Sequence, residues 1–302
     1  AKCESFIHTA CACCVKPARR DVDTLDTFVC SSWYFLRYPD NKNEGEAFNR
    51  DWTNRMLPVD KYVGGAEHAA MHLLYARFFT KALRDLGYLD FDEPFKSLVH
   101  QGTILGSDGQ KMSKSKGNTV APDEYIEKFG SDVFRTYLAF GFAYTEGGPW
   151  SDDGIKAIDR FFGRIERLAG RLVAGEKPVE QLDVPDVAKE GRNLQFVRHT
   201  TIQSVTNDTE VFQFNTAIAR LMELTNALYR YESIIGADTA LLRDTVKDLL
   251  LLLAPFAPHF CEEMWALLGQ EGFLYARTTR WPVADPAAMV KESTGLPASS
   301  LV

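Results

Sequence analysis

"FKSLVHQGTILGSDGQKMSKSKGN", residues 95–118, decides how the first half of the chain is read. An apolar run rich in β-branched residues ends in Gly106, Asp108-Gly109 marks a tight turn, and three lysines and two serines crowd the next few positions. Upstream, "VDKYVGGAEH" (59–68) reads as a short β run ending in paired glycines. It leads into "AAMHLLYARFFTKALRDLG", where Met71, Leu74, Phe78 and Leu83 recur at helical spacing and Gly87 stands as a stop. Downstream, "APDEYIEKFG" is helix-like. Strand, helix, strand is the grammar of an α/β sheet.

From residue 151 the grammar changes. Ser151 with Asp152 and Asp153 is a good helix start, and Ile155, Ile158, Phe162, Ile165, Leu168 and Leu172 keep one apolar face. Further helical patterns cover 189–206, 212–232, 238–254 and 259–269, with 175–186 as a loop. The expected organisation is a cysteine-rich connecting segment (1–20), an α/β domain (21–150), an all-α helical bundle (151–285) and a frayed tail (286–302).

At 45% hydrophobic and 25% charged residues, the chain reads as a globular protein, neither disordered nor fibrous. Its longest apolar run, "LLLLLAPFA" (249–257), is far short of the ~20 residues a membrane span needs. No membrane association is expected, and a net charge of −7 argues against a general nucleic-acid coat while leaving room for a local basic site. Cys3, Cys11, Cys13 and Cys14 make a poor disulfide framework, which points to a reducing, cytoplasmic setting. Cys11 and Cys14, with Cys3 and His8 upstream, are weak zinc-ligand candidates; the expectation is reduced, unliganded thiols.

Positive side chains on a glycine-flanked turn beside a strand end suit a phosphate-rich ligand, with Lys111 and Lys114 placed to neutralise charge on a departing pyrophosphate. The order of residues is not that of a Walker loop, and a merely solvated loop has the same composition. The string "KMSKS" (111–115), however, resembles the signature of class I aminoacyl-tRNA synthetases. "DTLDTFVCSSWYFLRYPD" (23–40), "VDKYVGGAEHAAMHLLYARFF", "HQGTILGSDGQKMSKSKGN" and "LLAPFAPHFCEEMW", in that order, are similar to the leucyl-tRNA synthetases. The resemblance covers about 11–285.

The resemblance implies the second half of a Rossmann-like nucleotide fold followed by an anticodon-binding-type bundle. It also implies leucine activation by ATP, with Mg²⁺ accompanying the ATP, and transfer to tRNA(Leu). By the same resemblance Gly64, Gly65, Glu67, Lys111, Met112, Ser113, Lys114 and Ser115 bind ATP, with Lys111 and Lys114 catalytic and Glu67 on the ribose hydroxyls. Phe28, Ser31, Tyr34, His68 and His72 line the leucine pocket. Two histidines four apart could suggest a metal, but "HAAMH" lacks the glutamate of a zinc protease and the family uses no metal there.

Two features depart from the family. No H-x-G-H motif occurs in the chain, and Cys30 stands where the family usually carries aspartate. The chain alone is therefore expected to be inactive, needing an N-terminal synthetase half in the same parent chain or as a separate subunit. The alternative is a synthetase-derived paralogue acting as a non-catalytic binding module.

Overall fold

The computed structural model describes residues 3–23, 28–276 and 279–290, and the chain divides into two compact units, Ala1–Gln101 and Gly102–Val302. In the first, a short helix α1 (Glu4–Ile7) leads into an antiparallel hairpin of β1 (His8–Ala10) and β2 (Pro17–Arg19). A 3₁₀ turn, Cys30–Ser32, precedes α2 (Tyr34–Arg37). Helix α3 (Arg50–Met56) starts at Asn49, whose side chain accepts the Trp52 N–H at 3.1 Å. Phe35, Leu36, Phe48, Ala76 and Leu89 form this unit's buried core.

Strand β3 (Tyr62–Gly65) runs parallel to β4 (Leu98–Gln101), with Gly64 opposite His100 and Gly65 opposite Gln101. Helix α4 (His72–Asp85) makes the crossover a parallel pair requires. It ends at Gly87, whose φ of 81° takes the left-handed conformation that stops a helix at little cost. A 3₁₀ turn (Ala66–Ala70) separates β3 from α4, so strand does not pass directly into helix. The expected inward face of α4 is also corrected. His72, Leu73, Ala76 and Thr80 are the buried residues, while Met71, Leu74 and Phe78 are exposed, Phe78 at 71%.

The single apolar run around 95–105 is two strands. After β4, β5 (Thr103–Leu105) pairs in parallel with β6 (Gly147–Pro149). Gly102 separates them, and its N–H bonds to the Tyr144 carbonyl at 2.8 Å. A Cβ on Gly102 would lie 1.9 Å from the Gly147 nitrogen, so only glycine allows this approach. Between β5 and β6 come α5 (Pro122–Phe129), with proline in its first turn, and α6 (Ser131–Phe140).

The bundle consists of α7 (Asp152–Ala174), α8 (Val187–Glu210), α9 (Phe214–Glu232), α10 (Thr239–Leu253) and α11 (Pro258–Leu267). Ser151, Asp186 and Asp238 cap α7, α8 and α10 with their side chains. All six apolar positions read from the α7 sequence are buried, Ile155, Ile158, Ile165 and Leu168 completely. Residues of 133–150, among them Tyr137 and Trp150, share this same core. Asp132 of α6 reaches the start of α11, accepting from the Phe260 N–H at 2.7 Å and contacting His259 Nδ1 at 3.0 Å. Asp285 to Met289 forms an ordered turn whose Asp285 N–H donates to His199 Nδ1, which corrects the expectation of fraying from 286; residues 291–302 lie outside those described. No helix among the described residues is long and apolar enough to cross a membrane.

The bundle holds an ion pair with a buried carboxylate. Arg171 of α7 donates from Nε and Nη2 to the two oxygens of Glu232 at 2.8 and 2.5 Å, and the Glu232 side chain is 4% exposed. Removing one partner leaves a charge that water cannot reach. Arg171→Met is expected to destabilise the helical unit by about 3–5 kcal/mol, read as a lowered urea midpoint at 222 nm. A change under about 1 kcal/mol, the range of exposed pairs, would show that the bridge contributes little.

Candidate active site

The candidate site residues fall into two groups, one in each unit. In the first unit, Phe28 lies with its ring centroid 6.3 Å from His68 and 6.5 Å from His72, and Tyr34 lies 6.3 Å from His72. Four of the five expected pocket residues are thus brought together. Ser31 sits half-buried in the 3₁₀ turn; its neighbour Ser32 is the buried one, donating to the Phe28 carbonyl. Two aromatic residues join the cluster that sequence reasoning did not select: Tyr75, 6.0 Å from Phe28, and Tyr62. The Tyr62 hydroxyl is 2.8 Å from His72 Nε2 and 2.7 Å from the Tyr34 hydroxyl. Tyr62 could have been found from the strand pattern, since it stands two residues before Gly64 and therefore on the same sheet face.

His72 is 7% exposed, and burial together with neighbouring His68 pushes its imidazole below the usual range. The neutral form of His72 is thereby favoured, within a cluster that is aromatic and polar at only a few atoms. A cavity of about 340 Å³ opens beside it, lined by Tyr62, Gly64, Gly65, His68, His72 and His100 among others. The paired glycines have different reasons. A Cβ on Gly65 would lie 2.4 Å from Glu67 Oε2, so Gly65 makes room for that carboxylate. A Cβ on Gly64 would meet nothing within 4 Å, so that glycine leaves its space open to a ligand. Glu67 is exposed at the end of β3.

In the second unit the lysine turn begins where β5 ends. Gly106 N–H bonds to the Gln110 carbonyl at 2.8 Å and Gly109 adopts a φ of 72°, closing the expected hairpin turn, after which Lys111 bridges back to Leu105. Lys114–Lys116 is a 3₁₀ turn ended by Gly117 at φ 66°. Lys111, Met112, Ser113, Lys114 and Ser115 are therefore held on one short loop. Met112 packs on the core, the Ser113 and Ser115 hydroxyls are 2.8 Å apart, and both Lys111 and Lys114 are exposed with no ion pair among the described residues.

Sequence reasoning missed what shapes this loop. Asn118 accepts the Ser113 N–H at 2.9 Å and donates its amide to Asp108 at 3.1 Å and to the Lys111 carbonyl at 3.4 Å. The Gln110 N–H and the Asn118 amide hold the Asp108 carboxyl below its usual range. A merely solvated loop has no need of such a brace. What the arrangement offers chemically is two uncompensated cations on a braced, glycine-bounded turn, and in the other unit an aromatic pocket.

The zinc candidates are less organised. Cys11 and Cys14 lie in the β1–β2 turn, His8 pairs with Glu4 at 3.1 Å, and Cys3 contacts Ser5. No group of three or more metal-ligating side chains occurs among the described residues. Cys30 opens its 3₁₀ turn and is exposed.

Comparison with known proteins places these features. A family model described as tRNA synthetases class I (I, L, M and V) matches residues 8–147, and one described as the anticodon-binding domain of tRNA ligase matches 195–297. The leucine–tRNA ligase of Clostridium perfringens (strain ATCC 13124) is 60% identical over 296 residues, 97% of this chain and 35% of its own length. That of Clostridium tetani is 59% identical over 292 residues, 96% of this chain and 36% of its own. The chain thus spans about a third of the length of the curated relatives it matches. Among solved structures, an Agrobacterium radiobacter K84 LeuRS in a ternary complex with tRNA and LeuAMS superposes with a TM-score of 0.84 at 39% identity, over 95% of this chain and 36% of that one. Mycobacterium tuberculosis methionyl-tRNA synthetase, at 20% identity and a TM-score of 0.60 over 77% of this chain and 47% of that one, shares the fold.

The brace can be tested directly. Asn118→Ala removes three contacts and is expected to speed amide exchange at Ser113 by about tenfold, the worth of roughly one to two net hydrogen bonds, with little change in global unfolding. Unchanged exchange at Ser113 would show that the loop is shaped by other contacts.

Proposed function

We propose, for a chain that belongs to the leucine–tRNA ligase family of class I tRNA synthetases, that it supplies the leucine pocket, the phosphate-binding lysine turn and the anticodon-binding bundle of an ATP-dependent ligase. The observation that carries this reading is the lysine turn: Lys111 and Lys114 are exposed, with no ion pair among the described residues, on a loop braced by Asn118 and Asp108. Leucine, ATP as its magnesium complex, and tRNA(Leu) are the substrates. The partner is the N-terminal synthetase half with its histidine motif, in the same parent chain or as a separate subunit, and the setting is cytoplasmic.

In the first step a leucine carboxylate oxygen attacks the α-phosphorus of ATP. The bond to the bridging oxygen breaks, and pyrophosphate departs with the electron pair. The protein needs no nucleophile of its own; it places the reactants and stabilises the charge that builds on the leaving group. Lys114, aided by Lys111, meets that charge, with Ser113 and Ser115 as hydroxyl donors and the Met112 side chain anchoring the loop. Glu67 accepts from the ribose hydroxyls, and the backbone at Gly64 and Gly65 lies against the nucleoside. Phe28, Ser31, Tyr34, His68 and His72 surround the leucine side chain. In the second step a hydroxyl of the tRNA's terminal ribose attacks the adenylate carbonyl, and AMP leaves.

Cys30 favours a second reading, a non-catalytic binding module. Both readings are separated in a complete ligase in which this chain replaces the matching third of the Clostridium perfringens relative. Lys114→Ala there is expected to lower turnover about 30- to 1,000-fold, the worth of a lost charge-assisted contact of roughly 2–4 kcal/mol in the transition state. The KM for leucine stays unchanged, because leucine does not touch this ammonium. Lys114→Arg rescues in part, since a planar fork replaces a compact charge. Exchange kinetics indifferent to Lys114→Ala would return the turn to a solvated loop.

A further inference from the structure

We propose that Tyr62 is a positioning residue that holds His72 in one neutral tautomer, protonated at Nδ1, and thereby keeps the pocket uncharged for an aliphatic side chain. This rests on the leucine-pocket reading above. The Tyr62 hydroxyl stands between the Tyr34 hydroxyl at 2.7 Å and His72 Nε2 at 2.8 Å, and it has a single proton to give. Two directions are available. If Tyr34 donates to Tyr62 and Tyr62 to His72, both hydroxyl protons are used, and only the His72 Nδ1–H is left without a partner. In the opposite direction His72 Nε2–H donates to Tyr62 and Tyr62 to Tyr34, which leaves both the Tyr34 proton and the Nδ1 lone pair unmatched.

His72 Nδ1 is buried without a partner in either case, and only the first direction uses both hydroxyl protons within the cluster. Burial and the bond to Tyr62 push the Tyr34 hydroxyl up, in keeping with Tyr34 as the donor. The ring of Tyr62 is itself fixed, stacked on Phe95 at 3.8 Å between centroids and 14° between planes. A rigid tyrosine therefore sets the proton position on a histidine that is 7% exposed. A neutral imidazole can line an apolar pocket; an imidazolium there would demand an anion.

The test is a nitrogen-15 histidine spectrum of the whole chain, with the His72 signal assigned by its loss in His72→Asn. Protonation at Nδ1 in the wild type, lost to a mixture of tautomers in Tyr62→Phe, is the expected result. Tyr62→Phe keeps the ring on Phe95 and removes only the hydroxyl. In the chimaeric ligase the same variant is expected to raise the KM for leucine about 5- to 10-fold, with kcat and the KM for ATP held within about twofold. A wild-type His72 protonated at Nε2 overturns the relay, and this measurement does not depend on any Tyr62 variant folding. A tautomer unmoved by Tyr62→Phe overturns it as well. A tautomer that moves while the KM for leucine does not overturns the leucine-pocket reading, and the positioning role with it.

Discussion

The backbones of Gly102 and Gly147 approach so closely that no side chain fits on either: a Cβ on Gly147 would lie 2.2 Å from the Thr103 carbonyl oxygen. That approach brings β5 alongside β6 and so fixes the point at which the lysine turn leaves the sheet. On the far side, β6 runs into Trp150 and Ser151, whose N–H donates to the Tyr137 hydroxyl and whose side chain caps α7. The Trp150 indole N–H bonds to Asp152 in the first turn of the same helix. One backbone contact therefore sets both the loop that carries the cations and the start of the longest apolar seam in the bundle.

Charge is distributed to match. Some lysines are neutralised locally: Lys81, Lys96, Lys156 and Lys247 each have a carboxylate partner. Lys111 and Lys114 have none among the described residues, although Asp108 lies on the same loop and is occupied by Asn118 and the Gln110 N–H. Directing the nearby carboxylate to bracing leaves the two cations available to a phosphate. In the first unit His72, whose neutral form burial favours, and the Tyr34–Tyr62 pair provide a different chemistry, an aromatic site with few polar atoms.

How much of this could be read from the sequence varies with physical cause. Helix α7 was fully legible, because one side is apolar and the other charged, so the phase of the stripe is unambiguous. Helix α4 mixes its faces: the large apolar Leu74 and Phe78 face outward beside Arg77 and Lys81, while the small Ala76 and the polar Thr80 are buried, so residue size and polarity mislead about its phase. The change of strand partner at Gly102 has no local signature beyond the glycine, since both strands are parallel-paired apolar runs. The lysines and the Gly-Gly-x-Glu-His run were legible as local strings. Tyr62 was legible only as a position on the Gly64 face of the strand and not as the partner of His72, and Asn118 was not legible at all, because it acts across a turn on Asp108 and Ser113.

The central claim is that this chain carries working parts of a leucine-activating site. It is tested most directly by leucine-dependent ATP–pyrophosphate exchange in the ligase that has this chain in place of the corresponding segment of the Clostridium perfringens relative, measured beside the chain alone. The account predicts leucine-dependent exchange by the chimaera and background by the isolated 302-residue chain. A folded chimaera without exchange, or robust exchange by the chain alone, would contradict it.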